Sequence, residues 1–166
     1  MNHTKRSISR KLIPFVALQV GEIMRQGAPV LSPRTSLRDL GLLFLRSGIC
    51  DSYPVVEQQQ VVGIVSKRDF LRHFRFSTRT IMPHYEELLE DPVESIVNRE
   101  VTFLSPQTPV TRALALLLTQ GVSCLPVVDP EGRFLGVVSQ DEVIDALTRL
   151  SRGFYSNLEI PHSKIA

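Results

Sequence analysis

The 166-residue chain is 43% apolar and 22% charged, ordinary values for a globular protein that can bury a sizeable core. A formal net charge of +2 is too small to argue for nucleic acid by itself, and no apolar run approaches the roughly 18 residues that would span a bilayer. The two cysteines, Cys50 and Cys124, lie in no C-x-x-C or Cys/His ligand pattern and are expected to be reduced, buried thiols rather than a disulfide or a metal site.

Residues 1–11 are polar and basic. Lys5, Arg6, Arg10 and Lys11 precede Leu12-Ile13-Pro14-Phe15-Val16-Ala17-Leu18, a faint likeness to a signal segment. The run is short and no A-x-A site follows it, so a basic arm leading into a packed helix is expected, in a soluble, intracellular protein. Residues 12–25 read as helical, and Val20-Gly21-Glu22-Ile23-Met24 leads into the next segment. Val30-Leu31-Ser32 is a short strand stopped by Pro33. Thr35 or Ser36 can cap a helix with Leu37, Leu40 and Phe44 on one face, closed by Gly48. Tyr53–Glu57 and Val61–Val65 form a hairpin around a Gln-rich turn. Gly63-Ile64-Val65-Ser66-Lys67-Arg68-Asp69 then carries a strand through a serine N-cap into a helix with Phe70, Leu71 and Phe74 as its apolar positions.

A charge-split connector follows. Arg72, His73, Arg75 and Arg79 precede Glu86, Glu87, Glu90 and Asp91. Arg72-His73-Phe74-Arg75-Phe76 could touch nucleic acid, but the reading favoured here is a helix end whose cations complement the dipole while its phenylalanines pack inward.

The second half repeats the order of the first. Val93-Glu94-Ser95-Ile96-Val97 is the lead-in, and Val101–Leu104 the first strand. Thr108-Pro109 reads as an N-cap followed by proline at the first helical position. Val110, Ala113, Leu114 and Leu117 share one helical face, and Gly121 ends it. Asp129-Pro130-Glu131-Gly132 turns between Pro126-Val127-Val128 and Phe134-Leu135-Gly136. Gly136-Val137-Val138-Ser139-Gln140-Asp141-Glu142 then writes the Gly-x-x-Ser-x-x-acid turn a second time. Ser32-Pro33 and Ser105-Pro106 are 73 residues apart, as are Ser66 and Ser139, whereas Tyr53-Pro54-Val55-Val56 answers Leu125-Pro126-Val127-Val128 at 72. Small loop indels that cancel are what a duplicated structural unit tolerates. Each unit is β-α-β-β-α behind a helical lead-in, and since neither can cover both faces of its sheet alone, the two should pack together.

Two such units, each with a Pro-Val-Val strand and a Gly-x-x-Ser-x-x-acid turn, resemble a tandem pair of CBS (cystathionine-β-synthase) domains. The resemblance covers about 20–150 and implies a mixed α/β (α+β) fold, two β-α-β-β-α repeats packed as one pseudo-two-fold module. The expected parts are a basic arm and helix over 1–19, repeats over 20–76 and 93–152, a connector over 77–92 and a tail over 153–166. It further implies a regulatory module that binds AMP, ADP, ATP or S-adenosylmethionine in clefts between the repeats, with no obligatory cofactor, and that associates into dimers.

The residues carried over are Ser66 and Asp69, and Ser139 and Glu142, for ribose and phosphate. A carboxylate suits a vicinal diol because it accepts two hydrogen bonds. Lys67 and Arg68 join the first turn as phosphate partners. Adenine would lie against Val30, Leu31 and Ser32 with Tyr53 and Pro54, and in the second copy against Phe103, Leu104 and Ser105 with Cys124, Leu125 and Pro126. Glu142 departs from the aspartate of the pattern. Ser-x-x-Glu is also a capping box that needs no ligand. Ser66–Asp69 fits a plain cap less well, because Lys67 and Arg68 put cations where the helix dipole disfavours them.

The function expected is thus a cytoplasmic adenosyl-ligand sensor acting on a separate protein, with no membrane or nucleic-acid partner. The alternative is a ligand-free structural and dimerisation module. An enzyme is not expected, since His3, His73, His84 and His162 pair with no nucleophile or metal-ligand spacing and no phosphate-binding glycine loop is present.

Overall fold

A computed structural model describes residues 15–47, 51–75 and 85–155. The helices are α1 (Val20–Ile23), α2 (Leu37–Ser47), α3 (Lys67–His73), α4 (Tyr85–Glu90), α5 (Val110–Gln120) and α6 (Gln140–Tyr155), with a 3₁₀ turn at Val93–Ser95. The strands are β1 (Ser52–Glu57), β2 (Gln60–Ser66), β3 (Cys124–Val128) and β4 (Phe134–Ser139). The basic arm, Gly48, Cys50, Phe76, Arg79 and the residues after 155 lie outside the described residues.

β1 pairs antiparallel with β2, and β3 with β4, in equivalent registers: Ser52 faces Ser66 and Cys124 faces Ser139. The expected first strands contract to single parallel bridges, Leu31 to Val55 and Leu104 to Val127. In each, the leucine N–H donates to a proline carbonyl, Pro54 or Pro126, at 2.9 Å. The prolines of the repeated Pro-Val-Val strand are tolerated for this reason. Their missing N–H faces the side where only a carbonyl is used. The strands end after one residue because Ser32 and Ser105 turn at once, each offering its N–H to a threonine hydroxyl three residues on.

The lead-ins change places. Val20 and Ile23 are buried with Leu104, Val110, Leu117, Leu125 and Val138 of the second repeat. Val93 is buried with Leu31, Leu37, Leu40, Tyr53 and Val65 of the first. The backbone follows suit, with Arg25 bridging Val137 and Asn98 bridging Ile64. Sequence order puts Val20–Met24 at the head of the first repeat, yet its side chains complete the core of the second. Burying a valine in this way is worth about 1.5–3 kcal/mol, so each lead-in ties one half to the other.

The exchange also explains the broken first helix. In place of a continuous helix over 12–25, helical residues 15–17 are separated from α1. The Val20 N–H donates to the Thr108 carbonyl at 2.8 Å, and the Leu18 carbonyl accepts from Val110 N–H at 2.9 Å. Groups that would continue the helix are used by the other repeat.

Ser36 caps α2, accepting from the Asp39 N–H at 3.1 Å. Thr108 does not cap α5. That helix starts at Val110 with Pro109 in the capping position and no side-chain cap, because the Thr108 hydroxyl serves Ser105 instead. Gly121 closes α5 in the left-handed conformation, φ 63°. The two hairpin turns differ. Gln58 and Gln59 both take positive φ, 49° and 68°. In the second turn the Asp129 carboxylate gathers the N–H groups of Glu131 and Arg133 and the Arg133 guanidinium. Desolvation raises the Asp129 pKa, but these hydrogen bonds outweigh it and hold the carboxyl below its ordinary value.

Candidate functional site

The repeated glycine shows how each candidate cleft is built. A Cβ on Gly63 would stand 2.3 Å from the Asn98 carbonyl oxygen, and one on Gly136 would stand 2.6 Å from that of Arg25. Only glycine lets the exchanged lead-in lie this close to the strand. Three residues later each strand ends at its serine, so the turn of one repeat faces the lead-in and post-helix loop of the other.

At the first turn, Asp69 Oδ2 accepts from the Ser66 N–H at 3.0 Å and from the Ser66 hydroxyl at 2.5 Å, and the Asp69 N–H donates back to Ser66 Oγ at 3.2 Å. The turn is a complete capping box. Asp69 Oδ1 lies 3.9 Å from Arg72. At the second turn, Glu142 Oε2 accepts from the Ser139 N–H at 2.8 Å and from the Ser139 hydroxyl. Its Oε1 lies 3.5 Å from Arg25 Nε.

Two cavities flank these turns. The larger, about 550 Å³, is lined by Ser66, Lys67, Arg68, Asp69 and Arg72 on one side. Asn98 and the Gln120–Ser123 loop of the second repeat line the other. The smaller, about 100 Å³, is lined by Arg25, Ala28 and Pro29, by Asp51–Pro54, and by Ser123, Cys124, Ser139, Gln140 and Asp141. Asp51, Ser52, Ser123 and Gln140 belong to both walls. Between them the Ser52 hydroxyl pairs with the Ser123 hydroxyl and the Cys124 thiol, and the thiol also reaches the Ser52 carbonyl at 3.7 Å. Cys124 is buried.

The structure therefore gathers Ser66, Lys67, Arg68 and Asp69 in the larger cleft and Tyr53, Pro54, Cys124 and Ser139 at the smaller cavity. Ser32, Ser105, Leu125, Pro126 and Glu142 line neither. Val30 and Phe103 lie on the surface, 43% and 41% exposed, while Leu31 and Leu104 are core residues. Sequence reasoning did not place Arg25, Asp51, Arg72, Asn98 or the Gln120–Ser123 loop at a cleft. The signal for two of the missed positions was the repeat itself, since Arg25 and Asn98 occupy equivalent places 73 residues apart. Among the described residues, no cluster of His, Cys, Asp and Glu could hold a metal ion, and no helix is long and apolar enough to cross a membrane.

The sequence pattern of the CBS domain matches residues 20–75 and 93–149. The chain belongs to the CBS domain family. The paired repeats are also similar to CBSX2 of Arabidopsis thaliana, solved in complex with AMP, with a TM-score of 0.70 at 24% identity over 82% of this chain and 100% of that one. The CBS pair of protein MJ0100, solved with 5′-methylthioadenosine and S-adenosyl-L-methionine, matches with a TM-score of 0.60 at 19% identity, covering 82% of this chain and 97% of that one. At these identities the likeness is one of fold. Among curated proteins, the A-adding tRNA nucleotidyltransferase of Aquifex aeolicus is 29% identical over 133 residues, which is 80% of this chain but only 15% of that enzyme. This CBS pair thus corresponds to a minor part of that relative.

Proposed function

We propose that this CBS pair is a cytoplasmic regulatory module that binds a phosphorylated adenosine, AMP, ADP or ATP, in the larger cleft and passes that occupancy to a separate protein. The observation that carries this reading is the 550 Å³ cleft in which the Ser66–Asp69 turn, Lys67, Arg68 and Arg72 face the loop of the other repeat. Its volume falls in the range of about 300–1,000 Å³ typical of small-molecule sites. Three cations suit a phosphate, and the Asp69 carboxylate suits a ribose diol. The adenosyl ligands named for CBSX2 and MJ0100 support the ligand class. The smaller cavity, about 100 Å³ and bordered by Arg25, Asp51 and Asp141, is too small for a nucleotide as it stands.

A structural module with empty clefts is the second reading, favoured by the two turns being capped without any ligand. Thermal shift against adenosine, AMP, ADP, ATP and S-adenosylmethionine separates the readings. Stabilisation that grows with ligand concentration supports a site, and none with any of the five favours the structural module.

Homodimerisation is part of the proposal. Leu42 and Leu45 on α2 are 46% and 82% exposed, Leu118 on α5 is 68% exposed and Ile144 on α6 is 59% exposed, more apolar surface than isolated leucines explain. Sedimentation is expected to show a dimer at micromolar concentration, and a monomer with and without nucleotide would remove this part.

A further inference from the structure

We propose that Asp51 sets how strongly the larger cleft prefers a phosphorylated ligand, by holding Lys67 in an ion pair that a phosphate must break. The inference rests on the adenosyl-ligand reading above. Asp51 stands immediately before β1 and lines the cleft. Its carboxylate lies 2.8 Å from the Lys67 ammonium, and its carbonyl accepts the Lys67 N–H at 2.9 Å. Lys67 Nζ also stands 5.8 Å from the Phe44 ring centroid, toward α2. The cation next to the Ser66 turn is thus already partnered.

The other repeat shows that this pair is not needed for the turn. Ser123 occupies the position equivalent to Asp51, and Gln140 that of Lys67. The same backbone bond forms there, Gln140 N–H to Ser123 carbonyl, at 3.2 Å. Two neutral side chains therefore hold an equivalent turn. The charges of Asp51 and Lys67 are an addition to the first copy, placed at the wall of the larger cleft.

The ion pair is exposed, with side-chain accessibilities of 65% for Asp51 and 39% for Lys67, so it is cheap to break. A phosphate can take the ammonium, but it must displace the carboxylate, which stays at the cleft wall and repels it. An uncharged nucleoside meets neither effect. Removing the carboxylate should tighten binding of a phosphorylated ligand on the order of two- to fivefold, the scale of an exposed ion pair.

The test is calorimetric titration of the full chain with AMP and with adenosine, using wild type, Asp51→Asn and Asp51→Ser; the last copies the residue of the second repeat. Both variants are expected to bind AMP more tightly while adenosine affinity stays the same. AMP affinity that is unchanged or weaker in both variants, or equal changes for AMP and adenosine, overturns the role of Asp51. A wild-type protein that binds neither compound overturns the adenosyl reading and this inference together, whereas wild-type binding without discrimination by the variants removes only the inference.

Discussion

The two Gly-x-x-Ser-x-x-acid turns come from one repeated pattern, fold alike and end up with different chemistry. Both acids cap their helices by accepting from the serine N–H and hydroxyl. Asp69 is short and remains at the wall of the larger cleft, with its second oxygen 3.9 Å from Arg72. Glu142 is one methylene longer, turns its second oxygen toward Arg25 at 3.5 Å, and lines neither cavity. Lys67 and Arg68 follow the first serine, and Gln140 and Asp141 the second. The cap is thus the common structural property of the pattern, and the ligand-facing chemistry is what the copies have divided.

The largest expected effect breaks the shared frame. Gly63→Ala and Gly136→Ala each drive a Cβ into a backbone carbonyl at 2.3 or 2.6 Å. Each is expected to cost about 2–3 kcal/mol or more by urea unfolding. Gly63→Ala should in addition weaken AMP binding, because the displaced Asn98 belongs to the larger cleft, while Gly136→Ala should spare it. The exchanged lead-ins come next. Val93→Ala should cost about 2 kcal/mol and lower amide-exchange protection in α2 more than in α5, and Val20→Ala should do the reverse. Protection lost in the repeat adjacent in sequence would contradict the exchange.

At the cleft itself, Arg72→Ala should reduce AMP affinity roughly tenfold, about 1.4 kcal/mol, and leave adenosine nearly untouched. Titration calorimetry with the two compounds reads the difference. The smallest effect concerns the hairpin turns. The pKa of Asp129 is lowered on folding, so its contribution is present above the unfolded value near 4 and is lost as pH falls through the folded one. Asp129→Asn should lower the melting temperature at pH 7 and make little difference near pH 2. Mutating Gln59 in the opposite turn should show no such pH dependence.

What the sequence made legible was local. A serine and an acid three residues apart, Leu37 with Leu40 and Phe44, and Gly121 after Leu117 are all decided within a helical turn or two, and the duplicated order of these signals marked the paired fold. The lead-in exchange was not legible, because Val20 and Val93 are equally apolar against either core. The pairing of clefts followed from it: once Asn98 crosses β2, Ser66 and Asp69 face Gln120–Ser123 rather than Tyr53 and Pro54. Thr108 misled for a related reason. It has the chemistry of an N-cap, but its hydroxyl was already committed to the Ser105 turn.

The most direct measurement is calorimetric titration of AMP into wild type, Asp69→Ala and Glu142→Ala. Each substitution removes the acid that accepts from its serine and leaves the serine in place, so the two variants make the same kind of change at equivalent turns and differ in the cleft they border. An AMP affinity reduced tenfold or more by Asp69→Ala and little changed by Glu142→Ala is the predicted result. Equal losses from the two substitutions, or a loss confined to Glu142→Ala, would contradict it.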